Sequence, residues 1–160
     1  MVLNQDLLNK GFRIANVSES DYERYYYIIR VCYEKYIDEY YGGWVEETQL
    51  KMNTDTFNRR MNQSTFKKLL LNDEVVGFIA FDVLPDKIDG ISVQLLDQAQ
   101  NMGIGSCCLN HIVTLSKKHI IPACLVVFKS NPSQNLCNKF GFIPYDETDS
   151  KYLLKYDPIV

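Results

Sequence analysis

Residues 98–106 read Gln98-Ala99-Gln100-Asn101-Met102-Gly103-Ile104-Gly105-Ser106. They follow a β-rich run from Ile88 to Leu96 and lead into Gly103 to Lys118, where Ile104, Cys108, Ile112 and Leu115 recur at helical spacing. A loop that enters a helix directly presents unpaired backbone N–H groups and the positive end of the helix dipole. Such a junction suits a phosphate or pyrophosphate. Gly103 and Gly105 remove Cβ atoms where the turn tightens, and Ser106 adds a hydroxyl in the first helical turn. A GxG pair also serves a plain strand-to-helix turn, so its surroundings decide. Two phosphate motifs are excluded: there is no GxxxxGK[ST], and no GxGxxG follows the first strand with an acidic residue at the expected distance.

Working outward, Phe12 to Val17 reads as an opening strand, and Ser18-Glu19-Ser20-Asp21 resembles a capping box at the start of a helix. Tyr22, Tyr25 or Tyr26, Ile29, Tyr33, Tyr36 and Tyr40 draw an aromatic stripe down that helix to Gly42-Gly43. Glu46 to Met61 follows as a second helix, with Leu50, Phe57 and Met61 as its expected buried positions. Phe66 to Leu71 and Val75 to Leu84 form a hairpin across Asn72-Asp73-Glu74, and Ile88 to Leu96 extends it into an antiparallel meander. After the glycine loop and its helix, Pro122 to Phe128 is a short apolar run of the kind found in buried central strands. Asn131-Pro132-Ser133 opens a brief helix ending at Phe140-Gly141, and Tyr152 to Tyr156 is the last predicted strand. Without repeats, low-complexity tracts or a linker, residues 1–160 are expected to form a single domain.

The composition narrows the partners. Lys+Arg number 17 and Asp+Glu 20, a net charge of −3, so there is no basic excess to neutralise a nucleic-acid backbone. No window is apolar over a membrane-spanning length, and the chain begins without a secretory pattern, so a cytoplasmic protein is expected. The five cysteines are odd in number and lack metal-ligand spacing, as do His111 and His119. Free thiols and no metal are the expectation.

The order of strand, two helices, β-meander, glycine loop, helix, strand, short helix, Gly-Phe and strand resembles the GNAT superfamily of N-acetyltransferases over nearly the whole chain. Gln100, Gly103 and Gly105 match its Gln/Arg-x-x-Gly-x-Gly/Ala motif, and Asn131 to Phe142, ending Lys139-Phe140-Gly141-Phe142, is similar to its second motif. FRIA at 12–15, EVVGFIAF at 74–81 and the aromatic segment at 36–44 are smaller matches. The resemblance implies an α/β (α+β) fold with a mixed central sheet of six to seven strands and helices on both faces. It further implies transfer of acetyl from acetyl-CoA to a primary amine by direct attack in a ternary complex. The alternative is a non-catalytic acyl-CoA-binding domain with a sensing role, and a third is an interaction domain without cofactor.

The resemblance implies a cofactor site as well. Backbone N–H groups of Asn101, Met102, Gly103, Ile104, Gly105 and Ser106 hold the CoA pyrophosphate, helped by the Gln100 and Ser106 side chains. Val93, Leu95 and Leu96 line the pantetheine arm, with the Leu95 N–H polarising the thioester carbonyl. Asn131 and Asn135 approach from the other side. The position where many family members place a proton-donating Tyr holds Cys137, a weaker and shorter donor that also reads as a buried small hydrophobe. Tyr145 is the substitute considered.

No general base stands out: Asp89, Ser92 and Gln94 lie near the right strand, but none is a Glu. Glu34, Asp38, Glu39, Glu46 and Glu47 stand against Lys35 alone, interleaved with aromatics, a pattern suited to a cationic amine. It suits a solvated helix end equally. Tyr33, Glu34, Tyr40, Trp44 and Glu47 are the acceptor-side candidates. The expected partners are acetyl-CoA and an amine, either a small cation or a protein amine; a homodimer is allowed.

Overall fold

In chain order the computed structural model, which describes residues 1–159, contains α1 (Gln5–Asn9), β1 (Phe12–Asn16), α2 (Tyr22–Tyr41), α3 (Glu46–Arg60), β2 (Thr65–Leu71), β3 (Glu74–Val83), β4 (Ile88–Leu95), α4 (Ile104–His119), β5 (Ala123–Phe128), α5 (Gln134–Lys139), β6 (Ile143–Glu147) and β7 (Lys151–Tyr156). Val160, the last residue of the domain expected from the sequence, lies outside the described residues.

The hairpin between β2 and β3 is set by two residues. Asn72 and Asp73 both take positive φ, 49° and 68°, the backbone of a tight turn whose twist matches the strands it joins. The Asp21 carboxylate accepts the Ser18 N–H at 2.8 Å, which fixes the entry into α2 through a 3-10 turn, Glu19–Asp21. All seven strands form one sheet in the order β1-β2-β3-β4-β5-β7-β6. Every neighbouring pair is antiparallel except β4 with β5, which is parallel. The sheet is therefore mixed, with the seven strands of the expected range.

Strand alternation sends apolar side chains to both faces. On one face Tyr25, Ile28 and Ile29 of α2 and Phe57 of α3 pack on Phe66, Phe78 and Ala80. On the other, Leu7 of α1 and Ile104 and Cys108 of α4 pack on Phe12, Leu69 and Ile79, and Leu109, Ile112 and Cys137 pack on Leu125, Val127 and Leu154. Helices thus cover both faces. Two expected core positions of α3 are corrected: Leu50 and Met61 are exposed, and Phe57 alone is buried on that helix. α1 and β6 have no counterpart among the predicted elements; α1 is one short turn of helix, and β6 is exposed along its whole length.

Candidate active site

The site begins with a strand pair that opens. β4 and β5 are in register at Ile88↔Ala123 and Ile91↔Leu125, where their pairing ends, although β4 runs on to Leu95 and β5 to Phe128. Between the two paired positions β4 has an extra residue, and there Gly90 takes a positive φ of 61°. Such a bulge bends its strand and increases its twist, which turns β4 away from β5 and leaves a fork.

The backbone on β4's side of the fork follows from one hydrogen bond. Leu96 N–H donates to Val76 O at 2.8 Å, so in the antiparallel ladder Ser92, Gln94 and Leu96 direct their backbone groups toward β3. Val93 and Leu95 direct theirs the other way, into the fork. The Leu95 carbonyl accordingly accepts from groups outside the sheet, Gln100 Nε2 at 2.9 Å and Cys32 Sγ at 3.5 Å. The same alternation sets Leu96 apart from Val93 and Leu95: it turns its N–H to β3 and buries its side chain in the α2 cluster.

Next to the fork, Gly103 caps α4 with a left-handed φ of 101°. The Gly103 carbonyl accepts from Cys107 N–H at 3.0 Å, so the N–H groups of Ile104, Gly105 and Ser106 have no partner within the helix. No side chain caps this end and no acid lies in its first turn, leaving the dipole's positive end open to an anion. Lys10 Nζ lies 3.3 Å from Met102 O and adds a cation at the loop. These residues fit the pyrophosphate of CoA.

The two glycines are needed for separate reasons. Gly103 supplies the positive φ, whereas a Cβ on Gly105 would come 2.9 Å from Leu136 Cδ2 of α5. Gly105 therefore lets α5 pack beside the loop. Asn101 is left-handed (φ 58°) and exposed, and Ile104 contributes backbone only, its side chain being buried. Asn131 Oδ1 accepts from Ser133 N–H at 2.9 Å, shaping its own turn, while Asn135 is exposed on α5.

The two proton-donor candidates differ in burial. Cys137 is buried in the cluster of Leu109, Ile112 and Phe142, and burial pushes its thiol up to about 11. Tyr145 is exposed on β6; its phenol is raised by desolvation and by the nearby charges of Cys124 and Asp89, which places it at the paired end of β4 and β5, away from Leu95.

The acceptor-side candidates divide into two groups. Tyr33 OH accepts from Gln94 Nε2 at 3.0 Å, and its ring lies 6.1 Å from Phe128, so Tyr33 touches both strands of the fork. Burial raises its phenol, with the Gln94 bond opposing. Tyr36 and Tyr40 stack on Phe128 at 5.0 and 5.8 Å. Glu34 and Trp44 instead belong to an outer network. Arg30 holds Glu34 (3.0 Å) and Glu46 (3.1 Å) and lies over the Trp44 ring, and Trp44 Nε1 donates to Glu46. Glu47 is exposed on α3. The acidic window from Glu34 to Glu47 omits its main counter-ion, Arg30, one helical turn upstream.

Phe128 and Gln94 complete the fork and were not among the expected site residues. Gln94 had a signal: an amide in an otherwise apolar stretch, Val93-Gln94-Leu95-Leu96. Among the described residues no His/Cys/Asp/Glu cluster could hold a metal ion, and no helix is long and apolar enough to cross a membrane.

Residues 29–142 match the sequence model of the acetyltransferase (GNAT) family. Among solved structures, the chain is similar to the PaiA N-acetyltransferase of Thermoplasma acidophilum in complex with coenzyme A (18% identity, TM-score 0.70, covering 91% of this chain and 98% of that one). It is also similar to Arabidopsis thaliana Naa50 in complex with the bisubstrate analogue CoA-Ac-MVNAL (18%, TM-score 0.66, 92% and 99%). A third is the ribosomal-protein-S18-alanine N-acetyltransferase of Escherichia coli (16%, TM-score 0.62, 91% and 93%). No curated protein matches the chain by sequence. The family match spans well over half of the chain and contains both the fork and the glycine loop: the chain belongs to the GNAT acetyltransferase family and is an acetyl-CoA-dependent N-acetyltransferase.

Proposed function

We infer that the enzyme transfers the acetyl group to a primary amine by direct attack, with both substrates bound at once. The observation that supports this reading is the fork, where the Leu95 N–H faces an opening beside the uncapped start of α4. A fixed backbone donor aimed at the thioester oxygen stabilises the charge that develops there as nitrogen attacks. The α4 N–H groups and Lys10 anchor the phosphates, which orients the acyl end and makes the reaction one of positioning. The amine approaches from the α2 side, where Tyr33, Tyr36 and Tyr40 line the fork against Phe128.

Of the two amine classes, the free α-amine of a peptide or protein is favoured. Of the acids that looked suited to a small polycation, Glu34 and Glu46 are engaged by Arg30 and Glu39 accepts from Ser130. What remains at the fork is an aromatic wall suited to a side chain following the amine. The name of the Escherichia coli relative, an alanine N-acetyltransferase acting on a ribosomal protein, accords with this choice.

The test has two steps. Acetyl-CoA at about 100 times its dissociation constant should stabilise the protein by about 2.7 kcal/mol, read as a rise in Tm. Thiol release should then be faster with a short peptide bearing a free N-terminus than with spermidine. Faster release with spermidine assigns the acceptor to the small cations, and release with neither amine argues against this acceptor reading.

A further inference from the structure

The acceptor side of the fork carries two lysines whose charge no acid takes up. Lys151 Nζ lies 4.9 Å from the centroid of the Phe128 ring, and Lys35 Nζ lies 4.9 Å from that of Tyr36. Phe128 is in turn 5.0 Å from Tyr36 and 6.1 Å from Tyr33, and the Tyr33 hydroxyl is bonded to Gln94 of β4 at 3.0 Å. Both ammonium groups therefore touch the aromatic wall that faces the amine.

Sheet register brings Lys151 there. It stands opposite Phe128 across the β5–β7 ladder, so the two side chains leave the same face of the sheet. Lys35 arrives from α2, three residues after Cys32, and its charge acts on the Cys32 thiol, which donates to the Leu95 carbonyl at 3.5 Å. One cation thus belongs to the β5 side of the wall, and the other reaches toward the end of β4.

Among the described residues neither lysine forms an ion pair. The surrounding carboxylates are fixed on other groups. Glu34 and Glu46 are held by Arg30, and Glu147 by Lys129. Glu39 accepts from Ser130 Oγ at 2.7 Å, and Asp38 accepts the Trp44 N–H at 3.1 Å. Asp97, which also acts on Cys32, pairs with neither lysine. A cation seated on a ring is held in place without being neutralised, so its field remains available to a ligand. In a chain of net charge −3 that positive field is local to the wall.

We propose that Lys35 and Lys151 select an acceptor that carries a carboxylate on the first or second residue after the attacking amine. This rests on the peptide reading above and narrows it to acidic N-terminal segments. An extended chain rises about 3.3 Å per residue, which takes those side chains across Phe128 toward Lys151 while the amine stays beside Tyr33. A basic side chain at the same place meets like charge.

Three tetrapeptides with free N-termini, alike except for aspartate, asparagine or lysine at the second position, test this. With the wild type, kcat/KM should fall in that order, the first step by about 10-fold and through KM. Raising the ionic strength from about 0.05 M to about 0.5 M should shrink that step. Lys151→Met should bring the aspartate peptide down to the asparagine one, and Lys35→Met should lower the preference in part. Lys151→Glu should reverse the order in favour of lysine, whereas a folding defect lowers all three together. Equal kcat/KM for the aspartate and asparagine peptides with the wild type overturns the proposal, and so does a preference that survives intact in Lys151→Met. If the wild type binds acetyl-CoA but acetylates no peptide, the peptide reading fails and charge selection is read from binding alone. By calorimetry with CoA present, the N-acetylated aspartate peptide should then bind more tightly than its asparagine counterpart, and lose that advantage in Lys151→Met; equal binding overturns the selection.

Discussion

The two ends of the β4–β5 pair are made from the same strands and do opposite things. At the closed end the Ile88 N–H donates to Pro122 O at 2.8 Å, and Ile88 and Ala123 are fully buried. At the open end Val93 and Leu95 turn their backbone groups toward a strand that has left. The difference arises at Gly90, whose left-handed backbone accommodates an extra residue in β4. A parallel pair that stayed in register would satisfy the Leu95 N–H with β5 and leave nothing for a ligand. The same backbone donor is therefore structural at Ile88 and, in the function proposed above, chemical at Leu95.

Proline separates the two roles, because it removes a backbone N–H. Leu95→Pro should fold, since that N–H makes no bond to β3, yet lose about 10²- to 10³-fold in kcat, the usual effect of deleting an oxyanion donor. Ile88→Pro should instead lose about 4 kcal/mol or more of stability by chemical denaturation, through a broken ladder bond and a vacated core position. Equal effects of the two on stability would erase the distinction between the ends.

Gly103→Val is next in size. A β-branched residue at φ 101° is strained, and the rebuilt loop should lose the acetyl-CoA-induced rise in Tm. A shift matching the wild type would move the phosphate site elsewhere.

Cys137 and Tyr145 sharpen the comparison from the negative side. Cys137→Ala should cost about 1 kcal/mol as a small core truncation, and Tyr145→Phe almost nothing, with kcat unchanged in both. A tenfold fall in kcat for either would return it to the chemistry. Burial raises the thiols of Cys32 and Cys137 to about 11 and that of Cys108 to about 12 from an ordinary 9.0. The folded state then holds protons that the unfolded chain releases, so their contribution is intact below pH 9 and is lost as pH rises through 11 to 12. Tm measured against pH should fall there, and less steeply in Cys137→Ala.

The smallest effect belongs to the outer network. Glu34 and Arg30 form an exposed, solvent-screened pair, so Glu34→Gln should leave both Tm and KM for the amine essentially unchanged. A clear rise in that KM would restore Glu34 to the acceptor site.

Periodicity and turn chemistry made most of the fold legible. The tyrosine stripe gave α2, Asn72-Asp73 gave the hairpin, and Gly103 marked the start of α4, because each is a local demand of the backbone. Leu50 and Met61 misled because helical spacing names a face without saying whether anything covers it. β6 was not legible because an exposed strand lacks the alternation that burial imposes. At the site, the glycine loop stood out because its signal lies within a few consecutive residues. The fork did not, because it depends on where β4 and β5 stop pairing, more than 30 positions apart in sequence. The network around Glu34 and Trp44 was hidden for a related reason: Arg30 lies outside the acidic window but reaches into it.

The most direct test of the fork is an NMR titration of the backbone amides with acetyl-CoA. Val93, Leu95 and Gly103 to Ser106 should shift strongly, while Ile88, Ala123 and Tyr145 stay within noise. Shifts concentrated at the closed end, with Leu95 and the glycine loop unmoved, would contradict the assignment of the open end as the acetyl-CoA site.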